Sequence, residues 1–315
     1  MSKHLCRLCE APLTLTFADL GMSPLSNSYV TESRRHEAEV FYPLHAYVCG
    51  SCHLVQLDEF ESRENIFKDY FYFSSYSDLW LRHCEGYANY AIDRFGLNGS
   101  SQVVEVASND GYLLQYFKAC GVPVLGVEPA ANVAQVAVAK GIPSEVAFFG
   151  VETATRLRGN GYSADLMVAI NVLAHVPDIK DFVAGFKVLL KPTGLVTFEF
   201  PSLHRQIEGN EFDTIYHEHF SYLSLLVVEK VVELNGMRVF DVQELPTHGG
   251  SLRVYACHRD GPHRETPGLE TQRRREREFG LKDLETYRMF SIEVVNIKAR
   301  ILEFFLTTRR EGKSI

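Results

Sequence analysis

The middle of this 315-residue chain alternates short β-branched runs with helix-like runs, and this pattern restricts the fold more than any other feature. Strands are predicted over 103–106, 124–127, 166–170 and 195–200, and helices over 78–95, 111–120, 132–140, 177–190 and 221–235. Such alternation is typical of a parallel sheet covered by helices, with ligands at the carboxyl ends of the strands. Strands 238–242 and 251–257 are expected to pair as an antiparallel edge, followed by a helix over 276–310.

Two CxxC pairs precede this region: Cys6 and Cys9, then Cys49 and Cys52. Four thiolates at such spacing are a common ligand set of structural zinc, which adds folding free energy to a segment too short for a large core. Because four cysteines complete the tetrahedron, no coordination position remains for catalysis. Two disulfides or four free thiols are the alternatives. His45 and His53 are nearby spare ligands, but we expect ordinary neighbours.

The formal net charge of −8 argues against a nucleic-acid partner, although zinc sites occur in many nucleic-acid-binding proteins. The basic cluster Arg273–Arg275 is interleaved with Glu276 and Glu278, as on a solvated helix face. The first twenty residues contain no apolar stretch of signal-peptide type, and no later segment is long and uncharged enough to cross a bilayer. We therefore expect a cytoplasmic protein without a membrane partner.

The segment Glu105–Leu114, which follows the first predicted strand of the sheet, has the composition of a ligand-binding loop. It has one glycine in place of GxGxxG, which argues against NAD and FAD. Its carboxylates and small polar groups suit a ligand with a positive charge and an amino-acid end. Glu128 ends the next strand, where ribose hydroxyls bind in such sheets. Both features fit S-adenosylmethionine (SAM), and generic strand ends are the alternative.

The loop Asn171–Asp178 follows a later strand and is expected to cover the same crevice. His175 there either contacts a ligand, which we favour, or only donates a hydrogen bond at the entry of a helix. The predicted cofactor residues are Glu105, Ala107, Asn109, Asp110, Gly111, Tyr112, Leu113, Glu128, Pro129, Asn171, Val172 and His175.

Two histidines, one carboxylate and two phenols lie within the segment Tyr216–Tyr222. His217 and His219 are two positions apart and lack the helical spacing that would place both imidazoles on one metal ion. General acid–base chemistry by a histidine is the better interpretation. Further on, Thr247–Arg253 contains a glycine turn and an arginine, which suit an oxyanion or a phosphate; a plain hairpin turn is the alternative.

These segments together resemble the zinc-containing, SAM-dependent sugar C-methyltransferases, which add a branching methyl group to nucleotide-linked 4-keto deoxysugars. The resemblance spans essentially the whole chain in order and also includes Gly126–Pro129 and His248–Ser251. It implies an α/β fold: a class I SAM-methyltransferase (Rossmann-like) sheet with a small N-terminal zinc-binding domain and a C-terminal helix. The implied domains are 1–70 for zinc, 71–275 for methyl transfer, and 276–315 as a C-terminal helix at the start of a further domain. Family members typically carry that C-terminal domain, whereas we expect it to be missing or truncated in this chain.

The resemblance also implies a reaction. His219 matches the proposed base that removes the proton next to the sugar C4 ketone, after which the enolate attacks the SAM methyl group in line. The positions that match the lining of the sugar site are Tyr76, Tyr216, Glu218 and Tyr222. The alternatives are an O- or N-methyltransferase acting on a small molecule, and a noncatalytic protein that binds a partner through its zinc domain.

Overall fold

A computed structural model describes residues 4–62, 64 and 72–314 of the chain. The strands of this part are β1 (Leu15–Ser23), β2 (Tyr42–Val48), β3 (Val55–Leu57), β4 (Val103–Val106), β5 (Val124–Val127), β6 (Ser144–Glu145), β7 (Ala164–Ile170), β8 (Leu190–Pro201), β9 (Ser221–Tyr222), β10 (Met237–Leu245) and β11 (Ser251–His258). The helices are α1 (Asp78–Phe95), α2 (Leu114–Ala119), α3 (Ala131–Ala139), α4 (Val151–Gly159), α5 (Ile179–Leu189), α6 (Leu203–Glu208), α7 (Leu225–Leu234), α8 (Pro267–Phe279) and α9 (Leu284–Arg310).

Seven strands form the larger sheet, in the spatial order β10–β11–β8–β7–β4–β5–β6. Strands β6, β5, β4, β7 and β8 run parallel to one another, whereas β11 pairs antiparallel with both β8 and β10. Helices α1, α2 and α3 contribute buried residues to the core on one face, and α4, α5 and α7 do so on the other. Because β4 and β5 are covered on both faces, every residue of these two strands is buried, including Glu105 in the otherwise apolar β4.

Helix α1 illustrates how local sequence signals set the bounds of an element. The Ser77 side chain accepts a hydrogen bond from the Trp80 amide at its start, and Gly96 ends it with a φ of 62°. Its buried residues recur at helical spacing: Cys84, Tyr87, Ala88 and Ala91.

A second sheet has the order β1–β2–β3–β9. Strands β1 to β3 come from the cysteine-containing region, whereas β9 comes from the segment that follows β8 and α6. Gln56 pairs with Ser221 and Val55 pairs with Tyr222. The first turns of α9 cover this sheet, with the rings of Phe290 and Phe17 stacked 4.4 Å apart. The segment predicted to carry acid–base chemistry is therefore attached to the N-terminal sheet.

Most predicted elements are confirmed, including α1, β4 and β5 with unchanged bounds and the antiparallel pairing of β10 with β11. The prediction of one helix over 221–235 was wrong at its start, because residues 221–222 pair with β3 and the helix begins at Leu225. The single helix predicted over 276–310 is broken, because Gly280 adopts a φ of 92° and ends α8. The predicted domain boundary at residue 70 lies outside the described residues. Within the described part, no helix is long and apolar enough to span a membrane.

Candidate active site

A cavity of about 510 Å³ opens at the carboxyl ends of β4, β5, β7 and β8. The structure brings these predicted residues into its wall: Ala107, Asn109, Tyr112, Glu128, Pro129, Asn171, Val172, His175, Tyr216, Glu218 and His219. The remaining predicted residues of the cofactor and sugar sites lie outside the wall: Glu105, Asp110, Gly111, Leu113, Tyr76 and Tyr222. The two groups predicted separately, for the cofactor and for the reaction, thus meet in one cavity.

The loop after β4 turns sharply over the end of β5. Ala107 and Asn109 have left-handed backbone conformations, with φ values of 56° and 48°. The Ala107 amide donates to the Val127 carbonyl at 2.8 Å, and the Asn109 amide donates to Glu128 Oε2 at 2.9 Å. Because left-handed backbone is unfavourable for residues other than glycine, contacts of this kind are needed to hold the turn.

The Asn109 side chain joins this loop to the segment before α1. Its Oδ1 accepts a hydrogen bond from the Ser74 amide at 2.9 Å, and its Nδ2 donates to the Tyr72 carbonyl at 3.0 Å. Tyr72 and Ser74 also line the cavity. Asn109 therefore fixes two walls of the cavity relative to each other.

Glu128 presents a carboxylate at the end of β5. One oxygen accepts the Asn109 amide and the other accepts the Ala130 amide, each at 2.9 Å. Burial raises the pKa of Glu128, and the hydrogen bonds from these two amides oppose the increase. The amides also fix the orientation of the carboxylate, whose remaining lone pairs can accept hydrogen bonds from two neighbouring hydroxyls of a ribose.

Glu105 lies beneath the loop. Strand alternation places Val104 and Val106 in the core on the side of α4 and α5, and Glu105 toward the opposite layer. The side chain is fully buried, and this burial raises its pKa well above the usual range, while the Tyr112 hydroxyl acts in the opposite direction. Tyr112, and not Glu105, lines the cavity.

The next residues of the loop support its shape. The Asp110 carboxylate pairs with Lys140 at 3.1 Å, and Leu113 is fully buried. Gly111 has a φ of 79°, and a Cβ atom at this position would lie 2.3 Å from Ile142 Cδ1. Both the backbone conformation and the lack of space require glycine here.

Asn171 provides a direct test of whether a SAM-type cofactor fits. Its backbone adopts a φ of 52°, and its amide donates to the Glu199 carbonyl at 2.8 Å. The side-chain Oδ1 is buried without a hydrogen-bond partner among the described residues, although the residue lines the cavity. A buried acceptor of this kind is costly unless a ligand donates to it. Together with the Glu128 carboxylate, it suits a ligand that carries an ammonium group and ribose hydroxyls.

Opposite the loop after β4, three aromatic side chains form a compact cluster. His219 Nε2 lies 3.0 Å from the Tyr216 hydroxyl, and the His219 and His175 rings are 4.6 Å apart. His175 ends a short 3₁₀ turn after β7. Glu218 lies beside this cluster and accepts a hydrogen bond from the Asn27 side-chain amide.

Both histidines of this cluster are held in the neutral form. Burial lowers the pKa of His175 to about 4. Burial, together with the nearby His175, lowers the pKa of His219 well below its usual value, and a hydrogen bond with the Thr214 backbone opposes this. A neutral imidazole carries one nitrogen lone pair and can accept a proton from a ligand in the cavity.

Three residues predicted for the acid–base segment or the sugar site have other positions. The Tyr222 hydroxyl accepts a hydrogen bond from the Tyr216 amide at 3.2 Å, so Tyr222 supports the cluster from behind. Tyr76 is mostly exposed outside the wall. His217 turns toward the N-terminal sheet, with Nε2 3.2 Å from the Pro43 carbonyl.

Several cavity residues were not among the predicted site residues. Asn27 reaches the cavity from the loop after β1, and Trp80 comes from the first turn of α1. His248 also lines it, within the turn between β10 and β11 that we interpreted as either an anion site or a hairpin turn. The hairpin alternative is confirmed, and Arg253 is occupied by a buried ion pair with Glu199. No sequence signal places Asn27 in the cavity, whereas Trp80 lies in the first turn of the helix predicted over 78–95.

The four cysteines of the CxxC pairs come together beside the N-terminal sheet. Their Sγ atoms all lie within 4.8 Å of one another, whereas sulfurs around a zinc ion lie about 3.8 Å apart because each Zn–S bond is about 2.3 Å. The Sγ atoms of Cys6 and Cys52 are 3.5 Å apart and those of Cys9 and Cys49 are 3.4 Å apart, which is too long for disulfide bonds. Gln56 Nε2 donates to Cys6 Sγ and the Ser51 amide donates to Cys49 Sγ, as suits thiolates. This donor set fits zinc.

His45 and His53 lie outside this cluster. His45 is hydrogen-bonded to Thr16 and stacked on Tyr47, and His53 Nε2 lies 3.1 Å from the Lys282 carbonyl.

Comparisons with known proteins match three segments of the chain. Family models match a zinc binding domain over residues 6–67, a methyltransferase domain over 80–242 and a C-methyltransferase C-terminal domain over 246–315. C-methyltransferase NovU of Streptomyces niveus is 32% identical over 310 residues, which cover 98% of this chain and 74% of NovU. The ubiquinone biosynthesis O-methyltransferase of Bartonella bacilliformis is 22% identical over 151 residues, or 44% of this chain and 61% of that enzyme.

Among solved structures, magnesium protoporphyrin IX methyltransferase from Synechocystis PCC 6803 with bound SAH is similar, with a TM-score of 0.45 and 13% identity. The similar region covers 62% of this chain and 92% of that one.

The sheet, its helices and the matched methyltransferase domain define a class I SAM-dependent methyltransferase. Its cofactors are SAM and, at the cysteine cluster, zinc. More specifically, the chain belongs to the family of C-methyltransferases that carry an N-terminal zinc-binding domain.

Proposed function

We propose that this enzyme methylates a carbon atom next to the ketone of a nucleotide-linked 4-keto deoxysugar. The observation that carries the proposal is the pair formed by His219 and Tyr216, with Nε2 and the hydroxyl 3.0 Å apart, in the same cavity as Glu128 and Asn171. Methyl transfer to carbon requires removal of a proton from a weakly acidic C–H bond, and a neutral buried imidazole is suited to that step. Similarity to a C-methyltransferase supports carbon as the acceptor.

We assign SAM binding to the walls formed by the ends of β4, β5 and β7. Glu128 would accept hydrogen bonds from the ribose, and Asn171 Oδ1 would accept one from the amino-acid end. When bound, SAM supplies an electrophilic methyl group. The left-handed turn at Ala107 and Asn109 brings backbone atoms close to this region. Substitution of either residue by one with a larger side chain should therefore weaken cofactor binding.

His219 is the proposed base. Before the sugar binds, the Tyr216 hydroxyl orients the imidazole through Nε2. The sugar would displace this hydroxyl from Nε2, which then takes the proton from the carbon next to the ketone. The displaced hydroxyl would donate to the enolate oxygen that forms. Glu218, which lies in the same wall, would accept a hydrogen bond from a sugar hydroxyl. A positioned base of this kind contributes about 10²- to 10⁴-fold in rate.

Solvent exchange tests the proton-removal step without methyl transfer. A nucleotide-linked 4-keto deoxysugar incubated with the enzyme in D₂O, without SAM, should acquire deuterium next to the ketone. His219→Asn should lose this exchange and lower methyl transfer by at least about 10²-fold, with calorimetric affinity for S-adenosylhomocysteine unchanged. His217→Asn is the matched control, because His217 lies on the same segment but outside the cavity, and it should retain both activities.

Two results would contradict the proposal. Full exchange in His219→Asn would remove this residue from the step. Methylation of a hydroxyl or an amine, identified by NMR of the product and without exchange at carbon, would assign the enzyme to O- or N-methylation.

A further inference from the structure

Arg7 lies between the zinc ligands Cys6 and Cys9, and its half-buried side chain points toward the larger domain. Its Nη1 donates to the Pro177 carbonyl at 3.0 Å, and its Nη2 donates to the Leu57 carbonyl. The guanidinium also lies over the Phe220 ring, 5.4 Å from the centroid. One side chain thus contacts three segments that are far apart in sequence.

These contacts lead directly to the reaction cluster. Pro177 lines the cavity and lies two residues after His175, and Phe220 directly follows His219. Leu57 ends β3, and its backbone amide donates to the Phe220 carbonyl at 3.1 Å. The backbone of Arg7 is fixed as well, because its amide donates to Gln56 Oε1, and Gln56 in turn donates to Cys6 Sγ.

The chemistry of arginine explains why this residue type occupies the position. Both hydrogen bonds from the guanidinium end on backbone carbonyls, so the contact fixes backbone positions and does not neutralise an acid. A planar fork can hold two carbonyls at a set separation while its face rests on an aromatic ring. A lysine ammonium is a point charge on a flexible stem and cannot impose that geometry.

We propose that Arg7 is a positioning residue that transmits the rigidity of the zinc site to the two segments carrying His175 and His219. The role in catalysis rests on the proposed function, but the positioning itself does not. Because displacement of a reacting group by about 1 Å can cost about 10²-fold in rate, loss of this contact should lower kcat strongly and leave cofactor binding intact.

Hydrogen–deuterium exchange measures the positioning without any substrate. The reporter amides are those of His175, Tyr216 and His219, which donate to the Val172 carbonyl, the Tyr222 hydroxyl and the Tyr216 carbonyl. In Arg7→Met these amides should exchange about tenfold faster, because a hydrogen bond to a charged group is worth at least that factor in an opening equilibrium. Zinc content and affinity for S-adenosylhomocysteine should not change.

Arg35→Met is the matched control, since Arg35 belongs to the same N-terminal region but pairs with Glu32 on the surface. It should leave the exchange of the three reporter amides as in the wild type. Arg7→Lys keeps the charge, and its exchange rates at the reporter amides should lie between those of Arg7→Met and the wild type. With the sugar substrate, its kcat should also be intermediate, and its KM for SAM should not change.

Unchanged exchange of the reporter amides in Arg7→Met would overturn the proposal. Loss of zinc in both Arg7→Met and Arg7→Lys would also overturn it, because Arg7 would then act on the metal site itself. If the wild-type enzyme fails to methylate any 4-keto sugar while the exchange result holds, the proposed substrate is wrong and the positioning role stands.

Discussion

The buried ion pair between Arg253 and Glu199 offers the sharpest test of the energetics beneath the cavity. The two residues face each other on β11 and β8, and the guanidinium donates to Glu199 Oε2 from Nε at 3.0 Å and from Nη2 at 2.6 Å. Their side chains are 5% and 1% exposed. His83 Nε2 lies 2.8 Å from the other Glu199 oxygen, and the guanidinium lies over the Tyr87 ring. The carboxylate is therefore fully partnered.

Arg253→Met should destabilise the fold by about 3–5 kcal/mol at pH 7, because it leaves a buried carboxylate with His83 as its remaining partner. Methionine fills much of the space of the arginine stem, so the loss reflects charge more than packing. Urea unfolding followed by circular dichroism measures the change. The double variant Arg253→Met with Glu199→Gln should recover a large part of the loss, since it removes the unpaired charge.

The difference in stability between the wild type and Arg253→Met should depend on pH in a definite direction. Burial raises the pKa of Glu199, but His83 and Arg253 together outweigh it and hold the pKa below the usual value. In the wild type, this stabilisation is present above the unfolded-state pKa and is lost as pH falls through the folded-state pKa. Without Arg253 the burial effect prevails, so the variant should gain stability as its carboxylate is protonated. The gap between the two proteins should narrow toward pH 4. If Arg253→Met lowers the free energy of unfolding by less than about 1 kcal/mol at pH 7, the reasoning is refuted, because an exposed ion pair contributes no more than that.

Three further predictions concern other parts of the molecule. Metal analysis should find one zinc ion per chain, and Cys9→Ser, which removes the exposed ligand, should lower that content. Trp80 is the single tryptophan and lines the cavity, so S-adenosylhomocysteine should change the tryptophan fluorescence of the wild type. Burial raises the pKa of Glu276, which accepts the Leu225 and Leu226 amides, from 4.5 to about 7. Its contribution to stability is therefore present below pH 4.5 and lost as pH rises through 7, and urea midpoints of Glu276→Gln should lack that decline.

The sequence predicted those parts of the fold in which local signals and tertiary packing agree. Helix α1 has a capping serine, a glycine at its end and an apolar face, and its bounds are as predicted. The cysteine cluster follows from ligand spacing alone. The clustering of Glu128 and Asn171 follows from a general property of parallel sheets, since loops at the carboxyl ends of the strands meet at one edge.

The remaining features depend on contacts that no local pattern encodes. Ser221 and Tyr222 precede an apolar, helix-like run, so the sequence predicts that they belong to that helix. In the structure they pair instead with β3, which lies far upstream in the sequence. Asn27 bonds to a residue 191 positions away, and Arg7 bonds to one 170 positions away. Glu105 is a different case, because strand alternation alone places it on the face opposite Val104 and Val106, beneath the loop.

The pairing of β9 with β3 explains how a small metal domain can affect chemistry at the edge of another sheet. A two-residue strand has no stability of its own, so the segment around His219 depends on the strand it joins. That strand, β3, is only three residues long and is in turn tied to the cysteine cluster through Gln56. Since a zinc ion bound by four thiolates contributes folding free energy directly, we expect its contribution to extend through Gln56 and β9 to the imidazole. Under the proposed function, removal of zinc should therefore impair proton removal by His219 before it impairs cofactor binding, which relies on loops of the larger sheet.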